Sequence, residues 1–297
     1  CSRVEADILL TDERVKAVTF VGTTGVGKQV YSKAAAHGKR VQAQCEAKNH
    51  ALVLEDCNLE ATVNAIINST YGCAGMRCMA LPVVCVQESI ADEFVSLLKK
   101  KAEAMKLGCA YDEETDLGPV VNAGHKEKIC NWIQKGIDEG AELVLDGRNV
   151  AVPGYENGFF VGPTILDHVT PEMTVGNREI FGPVTCIKRV KDYEEGIKIM
   201  NANPFANGSC IFTQSGYYSR KFAMETDGGM VGINVGIPVP TAYFPFSGNK
   251  DSFFGDLHVL GKDGYRFFTR AKTVTTHWFD EAAGKRKVGT WEGSTEA

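Results

Sequence analysis

Short apolar runs in this chain alternate with longer stretches whose apolar residues recur every three or four positions, and few folds accommodate that order. Residues 15–20, 51–54, 81–86, 141–145, 184–190, 209–213 and 231–234 have the length and apolar, β-branched content of strands. Between them, residues 26–36, 59–71, 91–105, 126–139, 193–200 and 218–226 read as helices. In the second of these, Leu59, Val63, Ile66 and Ile67 share a helical spacing, behind candidate caps at Asp56 and Asn58. Strand and helix in turn imply an α/β fold, a mostly parallel sheet covered by helices. Residues 149–163, rich in glycine, proline and aromatics, interrupt the alternation as a surface connection does. Beyond about residue 280 the composition turns polar and charged, as in a loosely held tail.

The chain has 297 residues, and single cores stop growing near about 250–300 residues, so two lobes are expected. Its 37 acidic and 32 basic residues leave a net charge of -5. That balance gives no general attraction for nucleic acid or an anionic membrane and points to a small-molecule partner. No 18-residue apolar run is present, and the opening CSRVEADILL lacks the basic flank and cleavage site of a signal peptide. The ten cysteines never form C-x-x-C or a zinc spacing, so no metal centre is expected and they read as free thiols in a reducing compartment. A first residue Cys1, in place of methionine, suggests a fragment.

Two stretches carry candidate chemistry. FVGTTGVGKQV, residues 20–30, places Gly22, Gly27 and Lys28 as a phosphate-binding P-loop does, with ALVLED at 51–56 as a candidate magnesium strand. Gln29, however, stands where a metal-binding hydroxyl belongs, and no later motif positions a water. A P-loop nucleotide hydrolase is therefore the alternative reading. YGCAGMRCMALP, residues 71–82, lies between a helix and a strand, and its glycines allow a tight bend around Cys78. Arg77 and nearby helix amides would favour the thiolate there. Composition alone leaves Cys78 as either an exposed nucleophile or one more small buried side chain, and Cys73 has weaker support.

Taken in order, FVGTTGVG, AKN, GMRCMA, DLGPVV, GFFVGPTIL, REIFGPV, NPFANG and FPFSGNKDS resemble the aldehyde dehydrogenase superfamily over about residues 14–278. KRVQAQCEAKNH, the Arg77–Cys78 pair and GINVGIPVP are similar to its methylmalonate-semialdehyde branch, which is acylating and dependent on coenzyme A. The resemblance implies residues 1–46 as the end of a Rossmann-type NAD-binding domain and 47–255 as the thiol-bearing catalytic domain. It further implies 256–270 as a return segment, 271–279 as an oligomerisation strand and 280–297 as a tail. An upstream half of the cofactor cleft would be missing, so this polypeptide alone is expected to show little or no dehydrogenase activity. A homo-oligomer, dimer or tetramer, is expected, mitochondrial in a eukaryote and cytoplasmic otherwise.

The same resemblance assigns roles. Cys78 attacks the aldehyde carbon, its backbone N–H helps hold the oxyanion, and oxidation of the adduct by NAD leaves a thioester on sulfur. Arg77 receives the substrate carboxylate. Gly22 and Thr23 approach the cofactor closely, with Cys45 beside them, Glu179 binding the nicotinamide-side ribose and Phe181 lining the pocket. Lys28 then becomes a solvated helix residue. Gln44 replaces the glutamate that elsewhere activates a deacylating water, so coenzyme A takes the acyl group as propionyl-CoA or acetyl-CoA with loss of carbon dioxide. Glu46, sharing a face with Gln44 in an extended segment, is a hypothetical substitute base. A catalytically silent relative that binds partners is a further alternative.

Overall fold

A computed structural model describes residues 3–278. In chain order its elements are α1 (Arg3–Thr11), β1 (Ala17–Val21), α2 (Thr24–Ala36), β2 (Arg40–Gln44), β3 (His50–Val53), α3 (Leu59–Tyr71) and β4 (Val83–Gln87). Then come α4 (Glu88–Glu103), α5 (Ala123–Asp138), β5 (Glu142–Leu145), β6 (Thr164–Asp167), β7 (Val184–Val190), α6 (Tyr193–Ala202), β8 (Phe205–Ala206) and β9 (Gly208–Phe212). The last are α7 (Gly216–Glu225), β10 (Met230–Ile233), β11 (Asn249–Lys250), β12 (Phe253–Phe254) and α8 (Gly261–Phe268). Each strand and helix expected from the pattern is present, with ends shifted by a few residues.

The larger sheet has seven strands in the order β10-β9-β3-β4-β7-β6-β5. All its pairs are parallel except β5 with β6. Its middle strands are buried on both faces, which is why they read as continuous apolar runs. Successive side chains of β3 point to opposite layers. Ala51 and Val53 meet α3, α4 and α5 through Val63, Ile66, Phe94, Leu98 and Ile129. Leu52 and Leu54 meet α6 and α7 through Tyr193, Ile197 and Phe222. Asn58, as anticipated, caps α3 by accepting from Ala61 N at 3.0 Å.

A second, three-stranded sheet has the order β1-β2-β12, with β1 and β2 parallel and β12 antiparallel to β2. Strand β2 escapes a hydrophobic pattern search because it buries Gln42 and Gln44. Gln42 is tolerated because both ends of its amide are bonded: Nε2 donates to Leu257 O at 2.9 Å and Oε1 accepts from Thr19 Oγ1 at 3.0 Å. After crossing the large sheet the chain returns through β12 and α8. Arg40 Nη1 donates to Thr269 O at 2.7 Å and its guanidinium lies 5.5 Å from the ring of the buried Phe267. Residues 271–278 form no strand and are exposed; the remainder of the expected oligomerisation strand and the tail lie outside the described residues.

Candidate active site

The expected site residues converge on one cleft of about 670 Å³ beside the end of the small sheet. Gly22, Thr23, Cys45, Arg77, Cys78, Glu179 and Phe181 all contribute to its wall. Chain order gives no hint of this proximity; the crossing between sheets creates it.

At one side, β1 ends at Val21 and α2 begins at Thr24, with Thr23 extended between them. The glycine of this turn lines the cleft and also answers an internal demand. A Cβ at Gly22 would lie 2.5 Å from the Phe20 ring. Gly27 likewise seats Cys45, whose sulfur would be 2.2 Å from an added Cβ. Cys45 is buried, and burial pushes its thiol up to about 11. Lys28 is an exposed residue of α2, as expected, and at the surface its Nζ pairs with Asp251 at 3.1 Å and lies 5.4 Å from the Phe254 ring centre. The P-loop reading does not survive. Lys28 is absent from the cleft wall, ALVLED belongs to the other sheet, and Asp56 is held by Thr213 Oγ1 at 2.7 Å.

Cys78 stands opposite, after α3 ends on the buried Tyr71. The hydroxyl of Tyr71 accepts from Thr185 Oγ1 at 2.8 Å and donates to Thr164 O at 3.3 Å, fixing the point where the loop departs. Three successive residues, Cys73, Ala74 and Gly75, then have positive φ of 52°, 54° and 70°. Two of them lack glycine's freedom, a strain characteristic of functional loops. Gly75 is required, because a Cβ there would sit 2.2 Å from Gly182 O. The contact locks the thiol loop to the 179–183 loop. Gly72 has a different purpose: it leaves room for the Arg77 guanidinium, which donates to Asn68 O at 3.1 Å. From below, Asn49 Nδ2 donates to Cys78 O and Ala80 O, both at 2.8 Å, and Asn207 Nδ2 reaches Cys78 O at 3.1 Å. These two asparagines sit inside the quoted AKN and NPFANG fragments, yet their shared role as anchors of Cys78 went unread.

Cys78 itself is exposed to the cleft. Its expected thiolate character is not borne out. Burial by the surrounding walls, then the charge of Glu179, raise the thiol pKa, while the amides of Cys78 and Met79 act in the lowering direction. Arg77 does not offset them, its guanidinium being turned toward Asn68. Glu179 Oε1 accepts from Ala47 N at 3.2 Å. Burial, with a contribution from the charge of Glu46, lifts its carboxyl to about 7. Phe181, at φ 60°, is half in the cleft, and its carbonyl accepts from His125 Nε2 at 2.7 Å.

His125, Lys128, Asn68 and Glu46 also line the cleft, as do Ile237, Val239 and Phe246. The first three belong to surfaces of α5 and α3, where a helix pattern gives no sign of which polar residue meets a distant loop. Gln44 and Glu46 do not share the cleft. Gln44 is buried, its Nε2 donating to Phe246 O at 3.3 Å, and only Glu46 is on the wall. Among the described residues, no group of three or more His, Cys, Asp or Glu side chains is arranged to hold a metal ion.

The chain around this cleft matches known proteins along most of its length. The profile of the Aldehyde dehydrogenase family covers residues 2–274. The chain belongs to the aldehyde dehydrogenase family. Malonate-semialdehyde dehydrogenase 2 of Oceanobacillus iheyensis is 51% identical over 270 residues, 91% of this chain and 55% of that protein. The crystal structure of methylmalonate-semialdehyde dehydrogenase from Oceanimonas doudoroffii superposes with a TM-score of 0.92 at 44% identity, covering 96% of this chain and 58% of that one. A Sinorhizobium meliloti 1021 chain solved in complex with NAD gives 0.92 at 42% identity, over 94% of this chain and 57% of its own. The chain thus spans a little over half the length of these family members.

Proposed function

We propose that the protein to which this chain belongs oxidises methylmalonate or malonate semialdehyde with NAD and passes the acyl group to coenzyme A. The observation that supports this most is the reachable Cys78 sulfur on a cleft wall shared with Glu179 and the start of α2. The names of the relatives favour the same substrate class.

In this reading Cys78 sulfur adds to the aldehyde carbon while its proton passes to solvent at the mouth of the cleft, and the carbonyl π pair moves onto oxygen. The Cys78 backbone N–H, on a loop held by Asn49 and Asn207, stabilises the oxygen that gains charge. Arg77 exchanges its bond to Asn68 O for the substrate carboxylate, a bidentate partner better matched to a guanidinium. Ile237, Val239 and Phe246 shield the reacting carbon from water. The residues present fit a dinucleotide: α2 begins on the cleft with no cap from Thr23 and no acid in its first turn, and Glu179 faces the same space. Thr23 and Glu179 would hold NAD, which when bound supplies the two-electron acceptor. Gln44, a buried amide, cannot activate water, so the acyl group waits for the more nucleophilic thiol of coenzyme A. A second copy of the chain would pair with residues 271–278, which are exposed and in part apolar.

The test joins this chain behind the first part of the O. iheyensis relative and follows NADH formation from each semialdehyde. Coenzyme A-dependent turnover that is lost in Cys78→Ser is expected. Equal turnover in Cys78→Ser, or acid release indifferent to coenzyme A, contradicts the reading.

A further inference from the structure

We infer that Glu46 is a specificity-determining residue: its carboxylate occupies the start of α2 as a built-in anion and so weakens the hold of the cleft on phosphate-bearing ligands. The inference rests on the NAD reading above and concerns how tightly that cofactor is held.

Helix α2 is capped from elsewhere. The side chain of Thr23 makes no capping bond, and the first turn of the helix contains no acidic residue. Thr24 N instead donates to Glu46 Oε2 at 2.9 Å, across 22 positions of sequence. Glu46 lies just past β2, and its own carbonyl accepts from Ser252 Oγ at 2.7 Å, which fixes the backbone from which the side chain reaches. The next amide, Ala47 N, is taken by Glu179. Two carboxylates of the cleft wall, from separate loops, thus each hold a backbone amide behind it.

A helix N-terminus favours anions through its unpaired amides and its dipole. Here one of those amides is already bonded to a charged group that belongs to the protein. An arriving phosphate must compete for Thr24 N and does so within hydrogen-bonding range of a like charge. The two carboxylates do sense one another, since the charge of Glu46 is among the influences that raise the proton affinity of Glu179. A neutral ligand meets no such opposition. Glu46 thus discriminates by charge beside Thr23, where the cofactor is proposed to be held, and its effect is expected mainly in the rate at which that cofactor leaves.

Glu46→Gln removes the charge while keeping an oxygen able to accept from Thr24 N, so the cap survives the change. Inorganic pyrophosphate is titrated into the 297-residue chain and followed by the backbone amide resonances of Thr23 and Thr24. The midpoint is expected about tenfold lower in Glu46→Gln than in the unsubstituted chain, with the difference shrinking in high salt. Glu46→Gly, which also frees the amide, is expected to bind at least as tightly as Glu46→Gln. Equal midpoints, or a weaker one in Glu46→Gln, overturn the inference. NADH, titrated by its fluorescence into the chain joined behind the first part of the O. iheyensis relative, with and without Glu46→Gln, separates it from the reading beneath. A pyrophosphate difference with no NADH binding by either form leaves charge exclusion by Glu46 standing and sinks the cofactor reading. NADH binding of equal strength in both forms sinks the inference alone.

Discussion

The two sheets reach their stability by different routes. In the seven-stranded sheet β3 and β9 are buried along their whole length, and helices cover both faces. In the three-stranded sheet β1 is half exposed, Val21 is 76% exposed, and the buried apolar cluster is small, made of Leu10, Val30, Ala34 and Val41. One region builds its own interior. The other depends on segments that return late in the chain, β12 and α8, to complete it. The cleft lies between them, so its chemistry is divided: a rigid wall carries Cys78 and Glu179, and a more weakly supported wall carries Gly22, Thr23 and Glu46.

That contrast is open to measurement, beginning with the core. Phe94→Ala, at a site with no exposure in the large-sheet core, is expected to cost about 3–5 kcal/mol in urea unfolding. Val41→Ala in the small-sheet core should cost only about 1–2 kcal/mol. Similar losses in both would break the comparison. Intermediate in size is Asn49→Ala, which leaves the carbonyl of Ala80 without its asparagine partner and removes one of two holding Cys78 O. A loss of about 1–3 kcal/mol is expected, with slower acylation of Cys78 by a reactive ester. Unchanged acylation would show that the rigid wall does not need its asparagines.

The smallest effect is in pH dependence. Glu179 titrates near 7 in the folded chain against an ordinary 4.5, so the native state binds the extra proton between those values. Its contribution to stability is complete below about 4.5, and is lost as pH rises toward 7. Stability of the native chain should therefore fall across that window relative to Glu179→Gln. Parallel curves would contradict the burial of this carboxyl.

Most of the fold was legible because the large sheet is made of short apolar strands between amphipathic helices. Where polar side chains are buried, the signal failed: β2 hides Gln42 and Gln44, and β6 is four residues long. α1, α8 and the two-residue strands are too short or too mixed to stand out. At the site, motif resemblance was enough to bring Cys78, Arg77 and Glu179 forward. It missed Asn49 and Asn207 as anchors, and the expectation of a thiolate, drawn from Arg77 and nearby amides, left out the burial of the thiol. The direction of the Arg77 side chain, toward Asn68, and the proximity of Glu179 depend on tertiary contacts that no local pattern encodes.

The central claim is that the sulfur of Cys78 is open to the cleft and that the charge of Glu179 restrains it. The most direct measurement is the rate of iodoacetamide modification at Cys78, read by peptide mass spectrometry against pH, in the native chain and in Glu179→Gln. The account predicts a midpoint above the ordinary thiol value in the native chain, moving down when the carboxylate is removed, with faster reaction at neutral pH. A Cys78 that stays unmodified in the folded protein, or profiles that coincide, would contradict it.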